Sequence, residues 1–205
     1  MSLSIESAAE SLIAGAALGP ERLELQLGDC HLSLASNSPE LVAGLREYFA
    51  HVPAPDAASR PDLELIAIES APPEPPGWDF VDWTREPGKT GRKDAYLDLP
   101  DGRLVKKVRT GMVFLQSETW RIAAGPCREY DNQVINFINA QYMNWLQHRG
   151  WLICHAAGLV RNGRGLGIAG FSGGGKSTLL SMLALLERPD EGELELGGRN
   201  GRGLG

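Results

Sequence analysis

A glycine-rich segment that ends in a lysine is the part of this sequence whose residue types and spacing point most directly to chemistry. Residues 170–178 read G-F-S-G-G-G-K-S-T and match the pattern G-x-x-x-x-G-K-[ST] at every fixed position. Glycines let successive backbone N–H groups turn towards one anion, and the N-terminus of a following helix adds about half a positive charge at the same point. The segment therefore predicts a P-loop that binds the phosphates of a nucleotide, with ATP and Mg²⁺ as the cofactors.

Each residue type in this loop has its own predicted task. The glycines shape the nest of N–H groups, Lys176 neutralises the β- and γ-phosphates, and the Ser177 hydroxyl binds Mg²⁺. Thr178 supports the first helical turn. The predicted nucleotide-binding residues are Gly170, Ser172, Gly173, Gly174, Gly175, Lys176, Ser177 and Thr178. Ser177 is also the predicted metal ligand.

A P-loop must be held between a strand and a helix, and both flanks of this loop have suitable patterns. Residues 166–169 are an apolar strand pattern, and residues 178–187 have a helical one. Asn162-Gly163 predicts a turn before the strand, and the apolar run 157–160 predicts another strand before the turn. We therefore expect the start of an α/β nucleotide-binding core here.

The region before this core predicts an α+β arrangement with antiparallel strands. Helices are expected over 4–18, from Pro39 to about Ala50, and over 132–148 with Asp131 as its cap and Gly150 at its end. Alternating apolar residues predict strands over 23–27, 32–34, 62–69, 95–99, 103–108, 112–115 and 119–123. The Pro-rich residues 71–77 predict a semi-rigid, exposed linker. The expected fold class is α/β, with one domain over 1–128 and a partial P-loop core over 129–205.

The residues around the loop resemble the catalytic domain of HPr kinase/phosphorylase. His155-Ala-Ala-Gly-Leu-Val is followed by a turn and then by the loop, and the interval from His155 to Gly170 is similar to that family's spacing. The resemblance implies that His155 lies near the phosphates, where it assists phosphoryl transfer or orients a carboxylate. A core histidine that is bonded to a backbone carbonyl is the alternative.

Segments further upstream resemble the HPr-kinase-related proteins of type B. They are residues 86–93 (EPGKTGRK), 99–102 (LPDG), 107–112 (KVRTGM) and 131–137 (DNQVINF). The likeness runs from about Leu23 to Leu180. It implies an ATP-dependent kinase that transfers the γ-phosphate to a hydroxyl acceptor, either a protein serine or a small molecule.

The residues after Thr178 depart from that family. They read LLSMLALLERPDEGELELGGRN and look like the segment that follows the P-loop in ABC-transporter ATPases. Asp190, Glu191 and Glu193 are the nearby carboxylates, and a solvated turn is favoured for them over a catalytic role. Residues 199–205 (RNGRGLG) also repeat 161–167 letter for letter, which we attribute to a truncated, spliced or artificial C-terminus.

Composition limits the partners that this protein can have. The net charge of -6 argues against nucleic acid or an anionic membrane surface as the main partner, and no apolar run has the length of a membrane span. Cys30, Cys127 and Cys154 stand far apart, which predicts reduced thiols in a cytoplasmic protein. The predicted partners are a nucleotide and a protein acceptor, and self-association of the chain is left open.

Three functions are consistent with these features of the sequence. The first is an HPr-kinase-related, ATP-dependent kinase. The second is a non-catalytic nucleotide-binding module or a truncated fragment, because the metal-holding and base carboxylates that phosphoryl transfer needs are not identifiable. The third is an ABC-type ATPase, to which the residues after the loop point.

Overall fold

The chain divides into two compact units, Met1–Arg149 and Gly150–Gly205. The computed structural model describes residues 3–56, 59–84, 94–154, 156–170, 178, 195–196 and 199–200. The boundary between the units follows the long helix over residues 131–148, whereas the domain boundary predicted from the sequence lies before that helix. The predicted domain assignment stays a prediction.

The first unit is built on a sheet of eight strands. They are β1 (Arg22–Leu27), β2 (Cys30–Ser36), β3 (Leu63–Glu69), β4 (Val81–Asp82), β5 (Asp94–Leu99), β6 (Gly102–Lys107), β7 (Val113–Ser117) and β8 (Arg121–Gly125). Their order across the sheet is β1-β2-β3-β8-β7-β6-β5-β4. The α/β class that the sequence predicts is thus confirmed.

The pairing of these strands is mixed. β5 to β8 form the predicted antiparallel meander, β4 pairs antiparallel with β5, and β1 pairs with β2 through a hairpin in which Gly28 has a φ of +60°. However, β3 is parallel to both β2 and β8. Two strands can be parallel only if the chain crosses back between them, and helix α2 (Pro39–Tyr48) makes that crossover from β2 to β3.

Helices cover both faces of the sheet. The apolar side of α1 (Ile5–Ile13) packs on one face, with β-strand residues such as Leu104 and Ile122. The other face is covered by α2 and by α3 (Asp131–His148), which bury Leu45 and Ile138 in the larger core. Because side chains alternate along a strand, β7 and β8 contribute to both cores.

The ends of the helices show which capping signals in the sequence predicted a helix end correctly. Ser38 accepts a hydrogen bond from the Leu41 N–H, with Pro39 in the first turn, as the sequence predicts. The predicted cap at Asp131 is wrong, because Tyr130 is the N-cap residue, with no side-chain capping bond, and Asp131 is already helical. Gly150 follows the end of α3 with a φ of +83°, a backbone conformation that glycine adopts at low cost.

The second unit contains two short hairpins in its described part. Strand β9 (Ala156–Arg161) pairs antiparallel with β10 (Arg164–Ala169), and the turn between them has positive φ at Asn162 and Gly163. Two-residue strands β11 (Glu195–Leu196) and β12 (Arg199–Asn200) form the other pair. The two copies of Arg-Asn therefore differ at the asparagine, because Asn162 lies in a turn and Asn200 in a strand, whereas Arg161 and Arg199 both lie in strands.

Candidate functional site

Strand β10 leads directly into the predicted P-loop. It ends at Ala169, Gly170 follows as an exposed residue outside any strand, and Thr178 is helical and exposed. This is the order of strand, loop and helix in which a P-loop points its N–H groups at phosphate. The described residues on both sides of the loop therefore fit a nucleotide.

The predicted site residues fall partly outside the described residues. Gly170 and Thr178 are described, at the two ends of the loop. Those that lie outside are His155, Ser172, Gly173, Gly174, Gly175, Lys176 and Ser177. Asp190, Glu191 and Glu193 also lie outside. Their roles stay predictions from the sequence.

The strand before the loop is mostly exposed. Leu166 on β10 is 55% exposed, and within the described residues β9 is the one strand that pairs with β10. The preceding residues Trp151, Leu152 and Ile153 are exposed as well. This agrees with the expectation that the P-loop core is partial and poorly covered on its apolar side.

A buried histidine in the first unit forms a polar cluster that sequence reasoning missed. His31 Nε2 lies 2.8 Å from a carboxylate oxygen of Glu24, and its Nδ1 lies 2.9 Å from the Ser59 hydroxyl. The same hydroxyl donates to the Asp56 carbonyl oxygen at 2.9 Å. The backbone N–H of His31 also donates to a carboxylate oxygen of Asp62. These contacts join the segment before β3 to β1 and β2, and we assign them a structural role.

The described residues contain no group of three or more His, Cys, Asp or Glu side chains that could hold a metal ion. In the same residues, no helix combines the length and the apolar character needed to cross a membrane.

Comparison with known proteins identifies one similar family for the second unit. Residues 156–203 match the family model of the ABC transporter. No solved structure matches the chain significantly. The family match begins with β9 and includes the whole P-loop.

Curated proteins are similar to the chain over the same part. The methionine import ATP-binding protein MetN of Bordetella avium is 50% identical over 46 residues, which are 22% of this chain and 13% of that protein. MetN 1 of Listeria monocytogenes serotype 4b is 49% identical over 41 residues, or 20% of this chain and 12% of that protein. The chain therefore spans about an eighth of the length of these relatives.

These similarities bear on two of the expectations from the sequence. They support an ATP-binding segment of the P-loop type and the ABC-like character of the residues after Thr178. They give no support to the resemblance to HPr kinase. ATP with Mg²⁺, the predicted cofactor pair, is the pair that the ABC transporter family binds, so this prediction is confirmed.

Proposed function

We propose that this chain binds Mg·ATP through its P-loop and that residues 156–203 are an ABC-type ATP-binding segment. The observation that supports the proposal is that the P-loop pattern, the strand before it and the family match all lie in the same part of the chain. The G-x-x-x-x-G-K-[ST] pattern begins one residue after the end of β10, and the family match covers both. The predicted cytoplasmic location and the self-association of the chain belong to this proposal too.

The proposed tasks in the site follow from charge and backbone geometry. The N–H groups of the glycines cradle the phosphates, and Lys176 contributes the positive charge next to the β- and γ-phosphates. The Ser177 hydroxyl is a ligand of Mg²⁺, which neutralises further charge on the same phosphates. Nucleotide affinity therefore depends strongly on the single ammonium group of Lys176.

Direct titration of the full chain with Mg·ATP tests this dependence. The wild-type chain should bind, and Lys176→Ala should weaken binding at least tenfold, because a hydrogen bond to a charged group contributes about 1.5–3 kcal/mol and a factor of ten corresponds to about 1.4 kcal/mol. The matched control is Arg164→Gln, which removes an exposed cation from β10 outside the loop. Isothermal titration calorimetry is preferable to a thermal shift, because two units need not unfold together.

Two results would contradict the proposal. One is a folded wild-type chain that does not bind Mg·ATP at millimolar concentration. The other is equal affinity in the wild type and in Lys176→Ala. A loss of binding in the Arg164→Gln control would also count against the assignment, since that residue is outside the predicted nest.

An HPr-kinase-related kinase is the second candidate. It is supported by the type B segments over 86–93, 107–112 and 131–137, all of which precede the matched residues 156–203. In this reading the γ-phosphate goes to a hydroxyl acceptor, and His155 assists. In the ABC-type reading the phosphate goes to water.

Incubation with ATP that is labelled at the γ-phosphate separates the candidates. Labelled inorganic phosphate without a labelled acceptor supports the ABC-type reading. A labelled protein or small molecule supports the kinase, and His155→Ala should then slow transfer without weakening Mg·ATP binding. Binding with neither product supports a non-catalytic nucleotide-binding module, the alternative that the missing carboxylates favour.

A further inference from the structure

A cleft of about 610 Å³ lies between α3 and the sheet in the first unit. Its floor contains Val105 and the rings of Phe114 and Phe137, which stack with centroids 5.0 Å apart and planes inclined by 19°. Both phenylalanines are buried to 4% exposure, so the floor is fixed by the core beneath it. The volume is within the range of about 300–1,000 Å³ that is usual for small-molecule sites.

One wall of the cleft holds a lysine in a defined position. Asp94 and Lys107 are direct cross-strand partners on β5 and β6, and their side chains form an ion pair with a distance of 2.9 Å from Nζ to Oδ2. A lysine has three N–H donors, so two remain for another acceptor. The carboxylate thus orients the ammonium group and leaves donors available at the cleft.

The rim of the cleft adds further donors. Arg109 is exposed and forms no ion pair with any residue in the described part of the chain. Thr110 donates its hydroxyl to the Gln133 side-chain oxygen at 3.1 Å, which leaves the Gln133 NH₂ group as a donor. Asn136, one helical turn along α3, contributes a second side-chain amide.

The net charge of the cleft is opposite in sign to that of the whole chain. Among the described residues that line the cleft, Lys107 and Arg109 are positive and Asp94 is negative, which gives a local net charge of +1 in a chain with a net charge of -6. Guanidinium and ammonium groups recognise carboxylate and phosphate. An apolar aromatic floor favours a ligand with a flat apolar body.

We propose that this cleft binds a small organic anion with an aromatic body. Its carboxylate or phosphate group contacts Arg109 and Lys107, Gln133 and Asn136 donate hydrogen bonds, and its ring packs against Val105, beside the buried rings of Phe114 and Phe137. All of these residues belong to the first unit. None of them is a residue of the predicted P-loop, so the proposal does not depend on the proposed nucleotide function.

Titration of the full chain with 3-phenylpropionate tests the site. This probe has one carboxylate and one ring, and it lacks the phosphate that a P-loop recognises. We expect binding with a dissociation constant in the micromolar to low millimolar range, and at least tenfold weaker binding of the uncharged 3-phenylpropanamide. Arg109→Gln should weaken 3-phenylpropionate binding at least tenfold and should fold normally, because Arg109 is exposed. Phenyl phosphate, titrated against the Lys176→Ala chain, shows whether phosphate monoesters bind here too.

Matched controls make the outcome decisive. Arg46→Gln removes an exposed arginine from α2 and should bind 3-phenylpropionate like the wild type, as should Lys176→Ala. Equal affinity for the amide and the carboxylate would overturn the proposal, and so would unchanged affinity in Arg109→Gln. Failure of the folded wild-type chain to bind at 10 mM probe, on the order of the weakest useful affinities, would overturn it as well.

Discussion

Two cysteines in the first unit have unusual acid–base behaviour. Burial raises the pKa of the Cys127 thiol to about 12, and the nearby Glu69 carboxylate acts in the same direction. Burial likewise raises the pKa of Cys30 to about 12, with a smaller contribution from Asp62. Cys127 donates its S–H to the Ile68 carbonyl oxygen. Both thiols are therefore neutral core groups, as the scattered cysteines predicted.

These thiols should make the first unit less stable in alkali. An unfolded thiol loses its proton near the ordinary pKa of 9.0, whereas the native thiols keep theirs to about pH 12. Between these values the unfolded state binds fewer protons, so the free energy of unfolding falls as pH rises. Urea denaturation at pH 8 and pH 10.5 should show this fall. It should be smaller in the Cys30→Ala/Cys127→Ala double variant, whereas Cys154→Ala, which replaces an exposed thiol, should behave like the wild type.

The sequence predicted one of the two candidate sites and missed the other. A P-loop is readable because its residues are contiguous and its spacing is fixed by the phosphates. The cleft residues come from β5, β6, the turn after β6, β7 and α3, which meet only after folding. One signal was available, however. A two-residue hairpin turn at Pro100-Asp101 places Asp94 directly opposite Lys107, and opposite charges at paired positions indicate a cross-strand ion pair.

The order of the strands in the sheet could not be predicted from local sequence patterns. Alternating apolar residues predicted most of the strands within a few residues, but alternation does not say which strand is the neighbour of which. The pairing of β3 with β8 joins residues that are more than fifty positions apart in sequence. It is fixed by the two cores, since α1 covers one face of this strand pair and α3 the other.

The hairpin of β5 and β6 requires a glycine at the first residue of β6, because neighbouring atoms leave no room for a side chain there. A Cβ atom at Gly102 would collide with the backbone carbonyl oxygen of Gln116 and would approach the Ile5 side chain closely. Gly102→Ala should therefore destabilise the first unit by about 1–3 kcal/mol, the usual cost of overpacking. Gly44→Ala is the matched control, because nothing lies within 4 Å of the added Cβ in α2. It should stabilise the unit by about 0.5–1 kcal/mol. Urea midpoints that shift in the same direction for both variants would contradict this reading.

At the scale of the whole molecule, the described apolar residues of the two units differ in their exposure. Among the described residues, both hydrophobic cores consist of residues from the first unit. In the second unit, Leu152 is 88% exposed and Leu166 is 55% exposed. We therefore expect the stability of the first unit to come from its own residues.

This contrast predicts where a protease will cut first. Trp151 and Leu152 are exposed and lie in no helix or strand, and chymotrypsin cleaves after such side chains. Tyr48 and Trp83 are also exposed, but Tyr48 lies at the end of α2, and the Trp83 N–H donates to the Asp94 carbonyl oxygen.

Limited chymotrypsin digestion should therefore release a resistant fragment that ends at Trp151 or Leu152, identified by mass spectrometry. Because both cores remain intact in it, the fragment should unfold cooperatively and keep the α/β circular dichroism of the first unit. A matched variant, Trp151→Ser/Leu152→Ser, removes the preferred sites and should slow the first cut without changing the stability of the first unit. A first cut inside residues 3–149, or a fragment that unfolds without cooperativity, would show that the first unit depends on residues after Arg149.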